Sequence, residues 1–231
     1  MREGRRAGAG RILVFTKSPA PGVVKTRLAA TLGAERAASL ARAFLKDTWS
    51  LLQSAVNDRA DRVIVLDGDP ALIDLDGAEI WPQGGGDLGE RLTSGFARAL
   101  TLAKSPWAIA VGTDSPGMPG ALLVQAIEAL DRTDSVIGPC ADGGFYLLGL
   151  RRLPAGLLAG LPWSEPTTFA ATLARLTQNG LQPAILDPWF DVDMPDDLDR
   201  LQDLLARGAV TAPETASALA GLRRSFCESR S

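Results

Sequence analysis

Histidine is absent from all 231 residues of this chain. Its absence excludes Ser-His-Asp triads, histidine-liganded zinc and acid–base catalysis by an imidazole. Cysteine is scarce as well, since Cys140 and Cys227 provide no disulfide framework and no metal-binding spacing. Any chemistry must therefore use carboxylates, lysine and arginine, hydroxyls, backbone groups or a metal held by carboxylates.

The chain also lacks an excess of positive charge and any long apolar run. Its formal net charge is −3, so no overall basic field attracts nucleic acid, and we expect no nucleic-acid partner. No apolar run approaches the roughly 20 residues that span a bilayer. The basic first ten residues lack the apolar core of a secretory signal. Together with the few cysteines, these features predict a cytoplasmic protein without a membrane span.

The composition that remains is typical of a folded domain, with 46% hydrophobic and 22% charged residues. A chain of this length is most simply one domain. We expect a flexible tail over residues 1–10, one domain over residues 11–222 and a C-terminal tail over residues 223–231.

Short apolar segments alternate with amphipathic helical ones along that domain. Strands are predicted over residues 12–15, 62–66, 79–81, 107–111, 135–137, 145–150 and 181–186. Helices are predicted over residues 33–56, 119–130, 167–177 and 196–206, with another capped by Asp87. In the helix over 33–56, Lys46 and Asp47 are expected on the solvent side. The alternation predicts an α/β fold with a mostly parallel sheet.

Polar loops follow several of these predicted strands, over residues 16–24, 83–89, 113–115 and 187–193. Because parallel strands end at the same edge of a sheet, these loops are expected to share one rim. Ligands of open α/β sheets bind at that rim. The pattern therefore predicts a binding site there.

The loop after the first strand, within RILVFTKSPAPGVVKTRL, has the form of an anion site. Pro21 and Gly22 end the strand, and a helix then begins near Lys25. A helix N-terminus attracts anions, and Lys17, Lys25 and Arg27 add full positive charges. The alternative is a plain turn with solvated basic residues.

Several acids follow predicted strands. Asp114 is suited to hold a divalent cation whose other ligands are phosphates and waters, or it is a turn residue. Asp191 and Asp193 point to one face if the chain is extended. Asp193 is then a second metal ligand, although one of these acids is alternatively a helix cap.

Two glycine-containing segments complete the candidate site. Gln83 with Gly85 and Gly86 would let a base or sugar approach the backbone, or the segment is a flexible loop. Asp142, which precedes two glycines, would line a sugar or acceptor pocket, or it belongs to a hairpin turn.

The combination of FTKSPAPGVVKTRL, QGGGDLGERL, VGTDSPGMP, GPCADGGFYLLGL and FDVDMPDDL resembles the DUF2064 family of bacterial proteins over about residues 11–205. That family belongs to the GT-A-fold nucleotide-diphospho-sugar transferase superfamily, and some members are labelled arsenosugar-biosynthesis glycosyltransferases. The PxPGxxKTRL loop is also similar to that of 2-phospholactate guanylyltransferase, a nucleotidyltransferase of the same superfamily.

The resemblance implies a GT-A-like mixed, mostly parallel sheet with helices on both faces and a nucleotide pocket at its carboxyl edge. Residues of the opening loop would then face nucleotide phosphates, and the Gln83 loop would face the base. Asp114 and Asp193 would hold Mg²⁺ or Mn²⁺. The sequence departs from the superfamily in two ways. The GxGxR loop of many sugar nucleotidyltransferases is absent, and the DxD of many glycosyltransferases is reduced to Asp114.

We therefore expect a metal-dependent transferase that moves a glycosyl group from a nucleotide sugar to a small-molecule acceptor. The alternatives are a nucleotidyltransferase and a nucleotide-binding module without catalysis. Without histidine, the base of an inverting glycosyl transfer must be a carboxylate, and Asp142 and Asp191 are the candidates. The sequence does not indicate the oligomeric state.

Overall fold

The computed structural model describes residues 9–228 of the chain. Its strands are β1 (Gly10–Lys17), β2 (Ala60–Asp67), β3 (Glu79–Pro82), β4 (Ala108–Gly112), β5 (Ser135–Pro139), β6 (Phe145–Leu150) and β7 (Pro183–Ile185). Its α-helices are α1 (Thr26–Leu32), α2 (Ala34–Val56), α3 (Leu88–Ala97), α4 (Gly120–Leu130), α5 (Thr168–Gln178), α6 (Pro195–Ala206) and α7 (Pro213–Glu228).

The strands form a single sheet in the order β3-β2-β1-β4-β6-β5-β7. β6 runs antiparallel to both of its neighbours, β4 and β5. The remaining pairs are parallel. The mostly parallel sheet predicted from the alternation of strands and helices is therefore confirmed, as is the mixed sheet that the resemblance implied.

Side chains of β1, an interior strand of the sheet, alternate between two apolar cores, one on each face of the sheet. Ile12 and Val14 pack with residues of α2 and α4, whereas Leu13 packs with residues of α3 and α5. Alternation of this kind follows from the two-residue period of a strand. Helices consequently cover both faces, as the resemblance implied.

A third apolar cluster lies beside α2 and holds α6 and α7 against α1 and α2. It combines Leu28 of α1 and Phe44 of α2 with Val192, Leu201 of α6 and Leu219 of α7. This cluster holds the segment before α6 close to the loop that follows β1. The candidate site residues on those two segments are thereby brought together.

Asp47 of α2 is buried, which corrects the expectation that it faces solvent. Its carboxylate accepts hydrogen bonds from the backbone N–H groups of Glu214 and Thr215, at 3.0 and 2.8 Å. These are orphan donors of the first turn of α7. Asp47 therefore caps a helix that is distant in the sequence.

The expected domain boundary at residue 222 lies inside α7, which continues to Glu228. The expected tails over 1–10 and 223–231 lie partly outside the described residues. No helix within residues 9–228 is both long and apolar enough to cross a bilayer.

Candidate functional site

A cleft of about 870 Å³ opens at the carboxyl edge of the parallel strands. The loops that follow β1, β3, β4 and β7 meet there. Because β6 is antiparallel, the segment that precedes it reaches the same edge. Most of the predicted site residues line the cleft, namely Lys17, Lys25, Arg27, Gln83, Gly86, Asp114, Asp142, Asp191 and Asp193. Pro21, Gly22 and Gly85 are exposed beside it and are not part of its lining.

Lys25 occupies the centre of the site. Its backbone adopts the left-handed conformation, with φ 47° and ψ 43°, immediately before α1. A non-glycine residue rarely adopts this conformation, and strain of this kind clusters at functional sites. The side chain is only 5% exposed. Its ammonium lies 5.3 Å from the centre of the Phe44 ring.

Three oxygen atoms surround the Lys25 ammonium. Nζ lies 2.5 Å from Oδ1 of Asp114 and 2.9 Å from Oδ1 of Asp193. It also donates to the backbone oxygen of Val192 at 2.8 Å. These oxygens match the three N–H donors of an ammonium. Burial opposes protonation of Lys25, but the two carboxylates outweigh it and raise its pKa, so that the amine stays charged.

Asp114 and Asp193 meet because the end of β4 and the segment before α6 are joined by a backbone hydrogen bond. The N–H of Val192 donates to the carbonyl of Asp114 at 2.7 Å. The carboxylate side chains remain 52% and 42% exposed and line the cleft. Within residues 9–228, no three acidic or cysteine side chains converge as a protein-only metal site. Mg²⁺ is commonly bound by one or two carboxylates plus substrate phosphates, which the pair fits.

Lys17 and Arg27 are exposed basic residues that line the cleft on the β1 side. The helix that follows the loop, α1, has only seven residues. A short helix offers little dipole, so any affinity for anions depends on the basic side chains rather than on the helix terminus. The strand, loop and helix order predicted for this segment is confirmed.

Gln83 is buried, and its amide is already hydrogen-bonded within the protein. Nε2 donates to the backbone oxygens of Thr16 and Val65, at 2.9 and 3.0 Å, and Oε1 accepts from Arg91 at 3.3 Å. The side chain thus links the ends of β1 and β2 to α3. A contact between Gln83 and a base remains a prediction. To bind a base, the Gln83 amide would have to give up one or more of these hydrogen bonds.

Arg91 is a cleft residue that the sequence analysis missed. Its guanidinium pairs with Asp67 at 2.6 Å and donates to the backbone oxygen of Gly86 at 3.1 Å. The glycine-rich loop is further fixed by Asp87, which caps α3 in a reciprocal capping box with Glu90. The only signal for Arg91 was its place in the QGGGDLGERL segment.

Asp191 is half-buried and accepts a hydrogen bond from the Ser115 hydroxyl. Burial raises its pKa to about 6, with a further contribution from the nearby Asp114 carboxylate. Asp142 is exposed, and its Oδ1 accepts a hydrogen bond from the backbone N–H of Gly144 at 2.9 Å. Asp142 therefore belongs to a turn and lines the cleft as well.

Aromatic residues and a further acid complete the wall near β6. The rings of Phe145 and Trp163 pack edge to face, with centroids 6.2 Å apart and an interplanar angle of 71°. Glu165 follows on the same wall. No motif in the sequence distinguishes these residues, because only the tertiary structure places 163–168 against the start of β6.

A family model described as an uncharacterised protein conserved in bacteria, DUF2064, matches residues 50–165, which is half of the chain. No curated protein matches the chain by sequence.

Solved structures resemble most of this chain. A Desulfovibrio desulfuricans G20 protein, assigned provisionally as a nucleotide-diphospho-sugar transferase, is 29% identical with a TM-score of 0.79, and the match covers 95% of this chain and 98% of that one. Rv0371c of Mycobacterium tuberculosis H37Rv, crystallised with manganese, is 20% identical with a TM-score of 0.53, covering 85% and 98%. The 2-C-methyl-D-erythritol 4-phosphate cytidylyltransferase of Thermus thermophilus is 21% identical with a TM-score of 0.52, covering 86% and 99%. These similarities show that the chain has an α/β fold similar to that of nucleotide-diphospho-sugar transferases.

Proposed function

Since this chain belongs to the DUF2064 family, and its fold is that of nucleotide-diphospho-sugar transferases, we propose that it is a metal-dependent glycosyltransferase. Its donor is a nucleotide sugar, and its acceptor is a small molecule. The observation that carries the proposal is the convergence of Asp114 and Asp193 on one cation, the Lys25 ammonium, in the rim cleft.

The basic residues of the β1 side bind the donor diphosphate in this proposal. Arg27 is exposed in the cleft and can grip two phosphate oxygens, and Lys17 adds a second charge. Gly86 lines the same side and presents its backbone to the nucleoside, while its positive φ of 89° and the adjacent Glu90 carboxylate leave no place for a side chain. Pro21, Gly22 and Gly85 shape the flanking loops rather than contact the nucleotide.

Asp114 and Asp193 are the residues that hold the divalent cation, Mg²⁺ or Mn²⁺, together with the donor phosphates. When bound, the metal neutralises the charge of the departing diphosphate. Two observations support this assignment. The cleft has two carboxylates, the usual metal ligands, on one side and basic side chains for the phosphates on the other. A neighbour of the same fold was crystallised with manganese.

The transfer breaks the bond between the anomeric carbon and the diphosphate oxygen, so a nucleoside diphosphate departs. A new bond forms between that carbon and an acceptor hydroxyl oxygen, whose proton passes to a carboxylate. Asp191 and Asp142 are the candidates for this base, because each lines the cleft on the side away from Lys17 and Arg27. Ser115 holds the Asp191 carboxylate in position.

The second candidate function is nucleotidyl transfer, which the cytidylyltransferase of the same fold favours. There the α-phosphorus of a nucleoside triphosphate is attacked and pyrophosphate departs. The same basic residues and carboxylates would stabilise that leaving group. No base is needed when the acceptor is already a phosphate or carboxylate.

The two reactions are separated by what they release. The protein is incubated with Mn²⁺, an acceptor extract and either mixed nucleotide sugars or mixed triphosphates, while diphosphate and pyrophosphate are followed separately. We expect nucleoside diphosphate from a sugar donor. Pyrophosphate from a triphosphate, with no diphosphate from any sugar donor, would establish the second candidate. Tight nucleotide binding without either product would identify a binding module.

A further inference from the structure

The charged residues that line the cleft are separated by sign. Its cationic lining residues are Lys17, Lys25, Arg27 and Arg91, and its anionic ones are Asp114, Asp142, Glu165, Asp191 and Asp193. The cations come from the last residue of β1, from the start of α1 and from α3. The anions come from the end of β4, the segment before β6, the segment before α5 and the segment before α6.

The strand order explains this separation. β3, β2 and β1 form one half of the sheet, and β4, β6, β5 and β7 form the other. Every described cation of the lining is attached to the first half, and every described anion to the second. Lys25 alone reaches across the boundary, where it neutralises Asp114 and Asp193. Asp142, Glu165 and Asp191 remain without a described cationic partner in the lining.

The anionic half also carries an aromatic surface. Phe145 and Trp163 form part of its wall next to Glu165. Aromatic faces beside carboxylates suit a molecule with C–H surfaces and hydroxyl donors, because the rings supply apolar contact and carboxylates accept hydrogen bonds. The same carboxylates repel an anion, since like charges placed together across an interface disfavour binding.

Resting on the proposed function, we infer that the acceptor is a hydroxyl-rich molecule without a phosphate or carboxylate group, bound between Asp142, Glu165 and the Phe145–Trp163 pair. The diphosphate of the donor takes the cationic half. An acceptor hydroxyl in the anionic half lies among carboxylates able to take its proton. This acceptor class suits glycosyl transfer and disfavours nucleotidyl transfer to an anionic acceptor.

The test compares matched acceptors in the full-length protein with Mn²⁺ and mixed nucleotide sugars. One pool contains glucose, galactose, ribose and glycerol, and the other contains their phosphate monoesters. Nucleoside diphosphate release is the readout. We expect the neutral pool to stimulate release at least about tenfold more than the phosphorylated pool, which corresponds to about 1.4 kcal/mol.

Charge variants locate the selectivity. Glu165→Lys places a cation on the anionic wall and should lower the ratio of diphosphate release with the neutral pool to release with the phosphorylated pool several-fold. Glu165→Gln should lower this ratio by an intermediate amount. Glu128→Lys is the matched control, because Glu128 is an exposed acid of α4 outside the lining of the cleft and should leave the preference unchanged.

The outcomes separate the acceptor assignment from the proposed function. Calorimetry with nucleoside diphosphates and Mn²⁺ tests donor binding by itself, and an absence of binding would refute the proposed function. With binding intact, equal or greater stimulation by the phosphorylated pool would overturn the acceptor assignment alone. Failure of both pools to stimulate release, with binding intact, would also count against it.

Discussion

The ammonium of Lys25 lies 2.5 Å from the carboxylate of Asp114, and this ion pair joins the two halves of the sheet edge. Lys25 belongs to the β1 side and Asp114 to the β4 side. The pair places the Lys25 ammonium between the carboxylates of Asp114 and Asp193. Elsewhere in the cleft, the cationic and anionic lining residues lie on opposite sides. Binding of a divalent cation by the same carboxylates must therefore compete with Lys25.

Replacing Asp114 by asparagine should weaken metal-dependent nucleotide binding. The variant loses one of the two charged oxygen donors, and the loss of a charge-assisted contact costs about 1.5–3 kcal/mol, roughly tenfold or more in affinity. Calorimetry with nucleoside diphosphates measures the change, with and without Mn²⁺. EDTA should weaken binding in the unmodified protein, and Asp187→Asn should behave like the unmodified protein. Equal affinity with and without metal would contradict the two-carboxylate site.

Replacing Arg27 by alanine should weaken nucleotide binding and leave stability unchanged. Arg27 is exposed in the cleft, so its removal costs a phosphate contact but little packing. We expect roughly tenfold weaker affinity. Arg132→Ala is the control, because Arg132 is an exposed arginine outside the lining of the cleft. Unchanged affinity in a folded Arg27→Ala protein would show that the loop is a solvated turn.

Replacing Asp191 by asparagine should change how stability depends on pH. The pKa of Asp191 is about 6 in the folded protein, above the value of roughly 3.9 for an unfolded aspartate. Between these values the folded state binds more protons, so the contribution of Asp191 to stability is present below pH 4 and is lost as pH rises through 6. Asparagine does not titrate, so the stability of Asp191→Asn does not include this pH-dependent loss.

Urea unfolding in EDTA at pH 4.5 and pH 7.5 measures this effect. The stability of Asp191→Asn relative to the unmodified protein should rise between the two pH values by on the order of 2 kcal/mol. Asp187→Asn provides the comparison. A relative stability that stays constant with pH would show that the Asp191 carboxyl is not held in a poorly solvated environment.

Replacing Asp47 by alanine should destabilise the protein. The variant removes the acceptor of two backbone N–H groups in the first turn of α7, and loss of a helix cap costs about 1–2 kcal/mol. Asp47→Asn retains one acceptor oxygen and should cost less. Urea midpoints compare the variants. A midpoint unchanged in Asp47→Ala would show that α7 does not depend on this contact.

The helices and strands could be predicted because each depends on the composition and spacing of residues within its own segment. The apolar run before Lys17 has the composition of a buried strand, and the spacing of α2 has the period of a helix. Asp87 and Glu90 lie three residues apart and form the capping box that their spacing favours. A shared rim for the loops followed from parallel strands alone, without knowledge of their order.

The contacts inside the cleft were decided by the tertiary structure. Lys25 was expected to face phosphate, yet it meets Asp114 and Asp193 because a backbone hydrogen bond at Val192 brings the two acids together. Gln83 looked available to a base, but its amide links strand ends. Periodicity and spacing specify which face a residue presents within its own element. Partners from distant segments depend on strand order and on the reversed direction of β6, which packing of the whole sheet determines.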